Sequence, residues 1–256
     1  GMTTKGWGHL VNDVDAVVHL TGYGLEHWPW TKRRKKKFAD SRVLPGPALV
    51  SAIESASRRP RLFLHHSGIS YYGLRGDTVA DESSPPANDF LARLTVESEG
   101  VSRSVEYLGV RRVVVRSAVV LARRGGLFPL MALPVRLFFG GRFGEGGQSF
   151  NWIHVEDHVR AMRFFLDNES ARGAYNLIAP PPTSMDDFMR AVADTLHRPY
   201  WFHLPTFLLR MIMGEMSILL TEGRFAEPGR MLEAGFSFRF GRLDEALNDL
   251  FGQKGV

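Results

Sequence analysis

Three runs of this chain are apolar almost throughout: AVVHL (residues 16–20), RLFLHHS (61–67) and RRVVVRSAVVL (111–121). A strand with one wet face alternates apolar and polar residues, because successive side chains point to opposite sides. Runs this continuous need cover on both faces, which a parallel sheet between helices supplies. Helix-like stretches lie between them, at residues 32–40, 47–56 and 89–107. A fourth strand, YNLIA (175–179), follows a helix that starts near Val155. Strands alternating with helices predict an α/β fold, and right-handed crossovers predict a doubly wound parallel sheet. Ligands of such sheets sit at the carboxyl ends of the strands. The informative segments are therefore HLTGYG, HSGISYYG, SAVVLARRGG and IAPPPTS.

After Ala179 the character changes. PPPT breaks the pattern, and SMDDFMRAVADTLHRP reads as a helix capped by Thr183 or Ser184. LPTFLLRMIMGEMSILL (204–220) is very apolar, but short for a membrane span and interrupted by Arg210 and Glu215. It reads as a buried helix or as a hydrophobic lid over a ligand cleft. The tail offers a strand-like piece and a closing amphipathic helix. The expected division is a Rossmann-like domain over residues 1–179 and a smaller lobe over residues 180–256.

The chain has no cysteine, so disulfides and thiolate nucleophiles or metal ligands are excluded. GMTTKGWGHL contains no secretory apolar run, so a cytoplasmic location is expected; Gly1-Met2 reads as a short remnant before a start methionine. The net charge of +5 owes much to one run, Lys32-Arg33-Arg34-Lys35-Lys36-Lys37. Successive helix residues step about 100° around the axis, so six cations cannot share a face. The run reads as a solvated basic helix, or as an attractor of anions such as dinucleotide phosphates. No nucleic-acid-binding motif accompanies it, and neither nucleic acid nor membrane is an expected partner. The expected partners are a small-molecule substrate and, as an option, a second copy of the chain.

One absence matters. Dinucleotide folds open with a strand, a glycine-rich turn and a helix, whose N-terminus receives the pyrophosphate. Nothing of that kind precedes Ala16, and GEGG (144–147) and Gly125-Gly126 lack the required setting. AVVHL would then be an apolar strand without a second neighbour. The expectation is that an N-terminal βαβαβ half is truncated here or supplied by another chain.

The segments DAVVHLTG, RRKKKFADSR, SGISYYG, VVVRSAVVLARRGG, FNWIHVEDHVRAM, AYNLIAP, GEMSILL and EAGFSF together resemble one family. It is the atypical extended short-chain dehydrogenase/reductase group of NAD-dependent epimerase/dehydratase-like proteins, some of which carry a cell-division-inhibitor label. The resemblance spans nearly the whole chain. It implies a Rossmann domain that binds NADP or NAD, with NADP preferred, and a C-terminal lobe that covers the substrate. Leu20, Thr21 and Gly22 match the loop where the backbone meets the cofactor. Arg42 matches an arginine near the dinucleotide, and Val120 matches a strand end on the nicotinamide side.

Extended members use a tyrosine and a lysine four residues apart on a helix, which places both on one face. The corresponding positions here hold Leu91 and Thr95, with Glu99 one turn further on. Neither side chain replaces that proton chemistry. Ser67 and Tyr71, at the end of the second strand, are the candidate catalytic residues that remain. His154 and His158 have the i, i+4 spacing of metal ligands. They match a family helix start where acids serve as caps, so no metal is expected. The expected activity is that of an NAD(P)-dependent oxidoreductase or epimerase-like protein. The alternative is a nucleotide-binding regulator or sensor in which no hydride moves.

Overall fold

The structure is a computed structural model that describes residues 3–76 and 78–252; Gly1-Met2, read above as a remnant, lies outside them. Four parallel strands form the main sheet in the order β1 (Ala16–His19), β2 (Leu62–Gly68), β3 (Arg111–Ser117) and β7 (Gly173–Leu177). Val17 lies opposite Phe63, Leu64 opposite Val113, and Val115 opposite Tyr175. Helices α1 (Lys32–Val43), α2 (Pro45–Glu54) and α3 (Phe90–Gly100) follow β1 and β2, and α5 (Val155–Asp167) leads into β7. The two faces of β2 bury different residues. Phe63 packs with Ile53 and Val105, whereas Leu62 and Leu64 pack with Ala161 and Phe165. Full burial of each such side chain stabilises the fold by about 1.5–3 kcal/mol. This two-sided cover is why the runs do not alternate, and the molecule is a Rossmann-like α/β fold. β1 pairs with β2 alone among the described residues and leaves Val18 42% exposed, so it is an edge strand.

The long run at residues 111–121 is two strands, not one. After Ser117 the chain leaves β3, and β4 (Val119–Leu121) pairs with β6 (Trp152–His154) in a separate ladder. Ala118 N–H still reaches Leu177 O, the last residue of β7, so β4 must find its partner elsewhere. Around β4 and β6 the remaining elements build a second core: α4 (Phe128–Arg136), β5 (Gly140–Phe143), α6 (Met185–Thr195), β8 (Tyr200–Leu204) and α10 (Leu243–Gly252). Ser184 caps α6 by accepting from Asp187 N–H at 3.1 Å.

Three expectations change. The helix expected to reach residue 107 stops at Gly100, and the chain resumes as a 3-10 helix over Arg103–Leu108, with the buried Ser102 Oγ between them meeting Arg112 and His65. The apolar stretch at 204–220 breaks at Gly214, whose φ is +57°, into α7 (Thr206–Met213), a 3-10 turn and α8 (Ile218–Thr221). Only Leu209 of α7 is buried, while Phe207 and Met211 are over 70% exposed. The strand-like piece in the tail follows the short helix α9 (Gly229–Glu233) and joins no ladder. Its Arg239 and Phe240 N–H groups donate to the buried Asp157 carboxylate instead. No helix among the described residues is long and apolar enough to cross a membrane.

Candidate functional site

Two cavities meet at the carboxyl ends of β1, β2 and β3. A groove of about 270 Å³ is lined by Leu20, Thr21, Gly22, Arg42, His66 and Ser67. A second cavity of about 250 Å³ reaches toward residues 219–224. Leu25, Gly68, Ser70, Leu91, Ser117 and Ala118 belong to both walls, so the two spaces adjoin. The site lies where the order of the elements predicts it.

In the groove, Arg42 NH1 donates to Tyr23 O and Phe38 O, which fixes the guanidinium beside the β1 loop. A Cβ on Gly22 would come within 3.3 Å of Arg42 Cζ, so the loop passes close against the arginine. Neutral imidazoles cluster beside the groove, and of these His66 lines it. Burial lowers the His19 pKa to about 4, and His19 Nε2 meets Thr21 Oγ1 at 2.5 Å. Burial and the neighbouring His158 bring His66 to about 3, and their Nε2 atoms lie 3.1 Å apart with one ring donating. His65 is wholly buried and bonds Ser98 and Ser102, as the strand alternation requires. His154 points elsewhere, accepting from Glu156 N–H as the cap of α5.

Ser67 Oγ donates to Glu99 Oε1 at 2.7 Å. Glu99 in turn receives Arg116 Nε and NH2, both at 2.9 Å. Arg116 NH1 donates to the Tyr72 hydroxyl, which donates to Asn176 Oδ1. The single proton of Ser67 is therefore committed inward, and the oxygen faces the groove as an acceptor. Tyr71 lines neither cavity. Its ring covers the Arg116 guanidinium at 3.3 Å and meets Tyr72 edge-on. Val120 also lies outside both walls, packed against the sheet core next to Val119, which does line the second cavity.

Ser70 was not singled out in the sequence. A 3-10 turn over Ile69–Tyr72 carries it into the wall shared by both cavities. Its Oγ lies 2.9 Å from Thr95 Oγ1, and Thr95 Oγ1 donates to Leu91 O at 2.8 Å. The two residues standing in the tyrosine and lysine positions are thus a wall side chain and the second hydroxyl of a relay. Only the loop geometry distinguishes Ser70 from Ser67. The roof of the second cavity comes from distant sequence. Arg75 Nε and NH2 both bond Glu222, and Arg224 donates to Thr78 O, Thr78 Oγ1 and Tyr72 O. A Cβ on Gly223 would sit inside the Ser149 carbonyl, so this close approach needs glycine.

Residues 7–177 match the model of the NAD dependent epimerase/dehydratase family, and residues 204–250 match a domain of unknown function, DUF1731. The epimerase family protein YfhF of Bacillus subtilis is 31% identical over 242 residues, covering 94% of this chain and 79% of that protein. The human epimerase family protein SDR39U1, solved with NADPH, is 31% identical with a TM-score of 0.88, covering 94% of this chain and 83% of the human one. A nucleoside-diphosphate sugar epimerase from Corynebacterium glutamicum is 26% identical with a TM-score of 0.74. The match covers 96% of this chain and 48% of that one.

Proposed function

The chain belongs to the NAD dependent epimerase/dehydratase family, and on that premise we propose that it is an NAD(P)-dependent oxidoreductase or epimerase-like enzyme acting on a small molecule. The adjoining pair of cavities carries the reading, because it gives a cofactor and a substrate one common wall. The groove residues suit a dinucleotide. Arg42 offers a fixed guanidinium, the loop at Thr21-Gly22 leaves no side chain in its way, and Ser67 offers an acceptor to a ribose hydroxyl. The structure of the human relative with NADPH favours NADP over NAD.

A bound nicotinamide would supply or accept a hydride; the remaining work falls to the protein. Ser70 donates a hydrogen bond to the substrate oxygen. When its proton turns toward the substrate, Thr95 turns its own proton from Leu91 O to Ser70 Oγ, so neither hydroxyl is left unpaired. Leu25, Leu74 and Leu127 keep water from the reacting atoms. Of the two catalytic candidates, Ser67 serves the cofactor side. Tyr71 acts through Arg116, whose guanidinium it covers. Val120 backs the wall at Val119. We assign the cover of the substrate to the described part of the C-terminal stretch, residues 180–252, with Leu219 and Glu222 at the cavity.

Titration of the chain with NADPH and NADH, by fluorescence and calorimetry, tests the reading. Binding of NADPH ahead of NADH is expected, and binding of neither would end it. One observation favours the sensor alternative: α3 presents Leu91 and Thr95 in place of a phenol and an ammonium group. Cofactor binding without turnover of any compound in a carbonyl screen would establish that alternative.

A further inference from the structure

The second cavity, which reaches residues 219–224, has a one-sided chemistry. Much of its wall is hydrocarbon, from Leu25, Leu74, Leu91, Leu127, Leu219 and Phe150, and its neutral polar groups belong to serines and Asn151. Arg224 is the one cation in that wall among the described residues. Its Nε, NH1 and NH2 already donate to Thr78 O, Tyr72 O and Thr78 Oγ1. The adjacent Arg75 is held by both oxygens of Glu222. Two carboxylates, Glu26 and Glu222, stand in the same wall. A pyrophosphate brought here would meet two carboxylates and a single guanidinium, three of whose five N–H donors already serve Thr78 and Tyr72. Phosphate recognition depends on forked, uncommitted donors of the opposite charge.

We propose that this cavity takes a compact, uncharged carbonyl compound with an apolar body and rejects nucleoside-diphosphate sugars, the substrate class named for one of the related structures. The proposal rests on the reading that the adjoining groove holds the cofactor. Exclusion is the work of Glu222, which both repels an anion and occupies Arg75. Preference for an apolar body is the work of the leucine wall. Specificity of this kind combines an attractive surface with a repulsive element.

Ligand-detected NMR and calorimetry on the full chain, with benzylacetone and UDP-glucose as probes, test it. Each probe is measured with and without NADPH. Benzylacetone should bind at least about tenfold more tightly than UDP-glucose. Leu219→Arg should weaken benzylacetone by about tenfold or more, while NADPH affinity stays unchanged. Glu222→Gln should strengthen UDP-glucose by about tenfold and leave benzylacetone within about twofold. UDP-glucose binding as tightly as benzylacetone to the wild type would overturn the proposal. Benzylacetone binding that ignores Leu219→Arg would do the same. Failure of NADPH to bind would refute the cofactor reading, while the cofactor-free comparison still decides what the cavity prefers.

Discussion

Arg116→Met tests whether the polar hub beneath the strand ends is a buried ion pair. The Arg116 and Glu99 side chains are 6% and 10% exposed, and two 2.9 Å hydrogen bonds join them. Methionine fills most of the volume but supplies no donor. Glu99 then keeps Ser67 Oγ as its side-chain partner from the hub and remains a carboxylate out of water. Stranding one member of such a pair costs about 3–5 kcal/mol, and Tyr71 also loses the cation beneath its ring, worth about 0.5–2 kcal/mol. For a chain of this size each kcal/mol moves Tm by about 2–4 °C, so a fall of about 7–28 °C is expected. Urea titration followed by circular dichroism, with scanning calorimetry, reads both quantities. The double variant Glu99→Leu/Arg116→Leu should lose less stability than Arg116→Met alone, because no charge is left unpaired. A loss below about 1 kcal/mol, the value of an exposed pair, would refute the reasoning. So would a double variant as costly as the sum of its single changes.

The hydroxyl relay predicts that Ser70→Ala lowers kcat by about a hundredfold or more on any carbonyl compound the wild type reduces. NADPH affinity should hold, and an unchanged kcat would remove Ser70 from the chemistry. Gly223→Ala should cost about 1–3 kcal/mol in urea titration because its Cβ meets the Ser149 carbonyl. Gly147→Ala, with open space around it, should cost far less, and equal losses would contradict the close approach. Burial holds His19 and His158 at about 4 and His66 at about 3, against 6.5 when exposed. The unfolded chain therefore binds these protons first. Stability is complete above about pH 6.5 and falls as pH drops, by up to about 1.4 kcal/mol per pH unit for each histidine. Urea midpoints that stay flat from pH 7 to pH 5 would contradict buried neutral imidazoles. His158→Phe should flatten the profile.

Much of the architecture can be read from local pattern. Leu62, Phe63 and Leu64 are all apolar because opposite faces of β2 are both covered, and that cover is what a parallel sheet requires. The same pattern locates the strand ends, and the resemblance assigns Leu20, Thr21, Gly22 and Arg42, which with Ser67 come to line one groove. It also reveals that Leu91 and Thr95 stand where a phenol and an ammonium group would be. The chemistry of a side chain is written in its type, so what is missing from α3 needs no coordinates.

Other features have no local signature. Periodicity treats residues 111–121 as one strand, but at Ala118 the choice of partner passes from β7 to β6, an element over thirty residues away. GFSFRF has the composition of a strand, yet Asp157 takes its backbone donors. The opening of HSGISYYG offers two serines of equal promise. The 3-10 turn sends Ser70 to the shared wall, and the Glu99–Arg116 pair draws the proton of Ser67 inward. Sequence alone thus determined the layers and the cleft, which follow from composition and period, and the loss of the usual proton donor, which the resemblance implies. Tertiary structure decided which hydroxyl lines the wall shared by the two cavities and which charges are already paired. Those depend on partners such as Glu222 for Arg75, brought together across 147 positions of chain by folding.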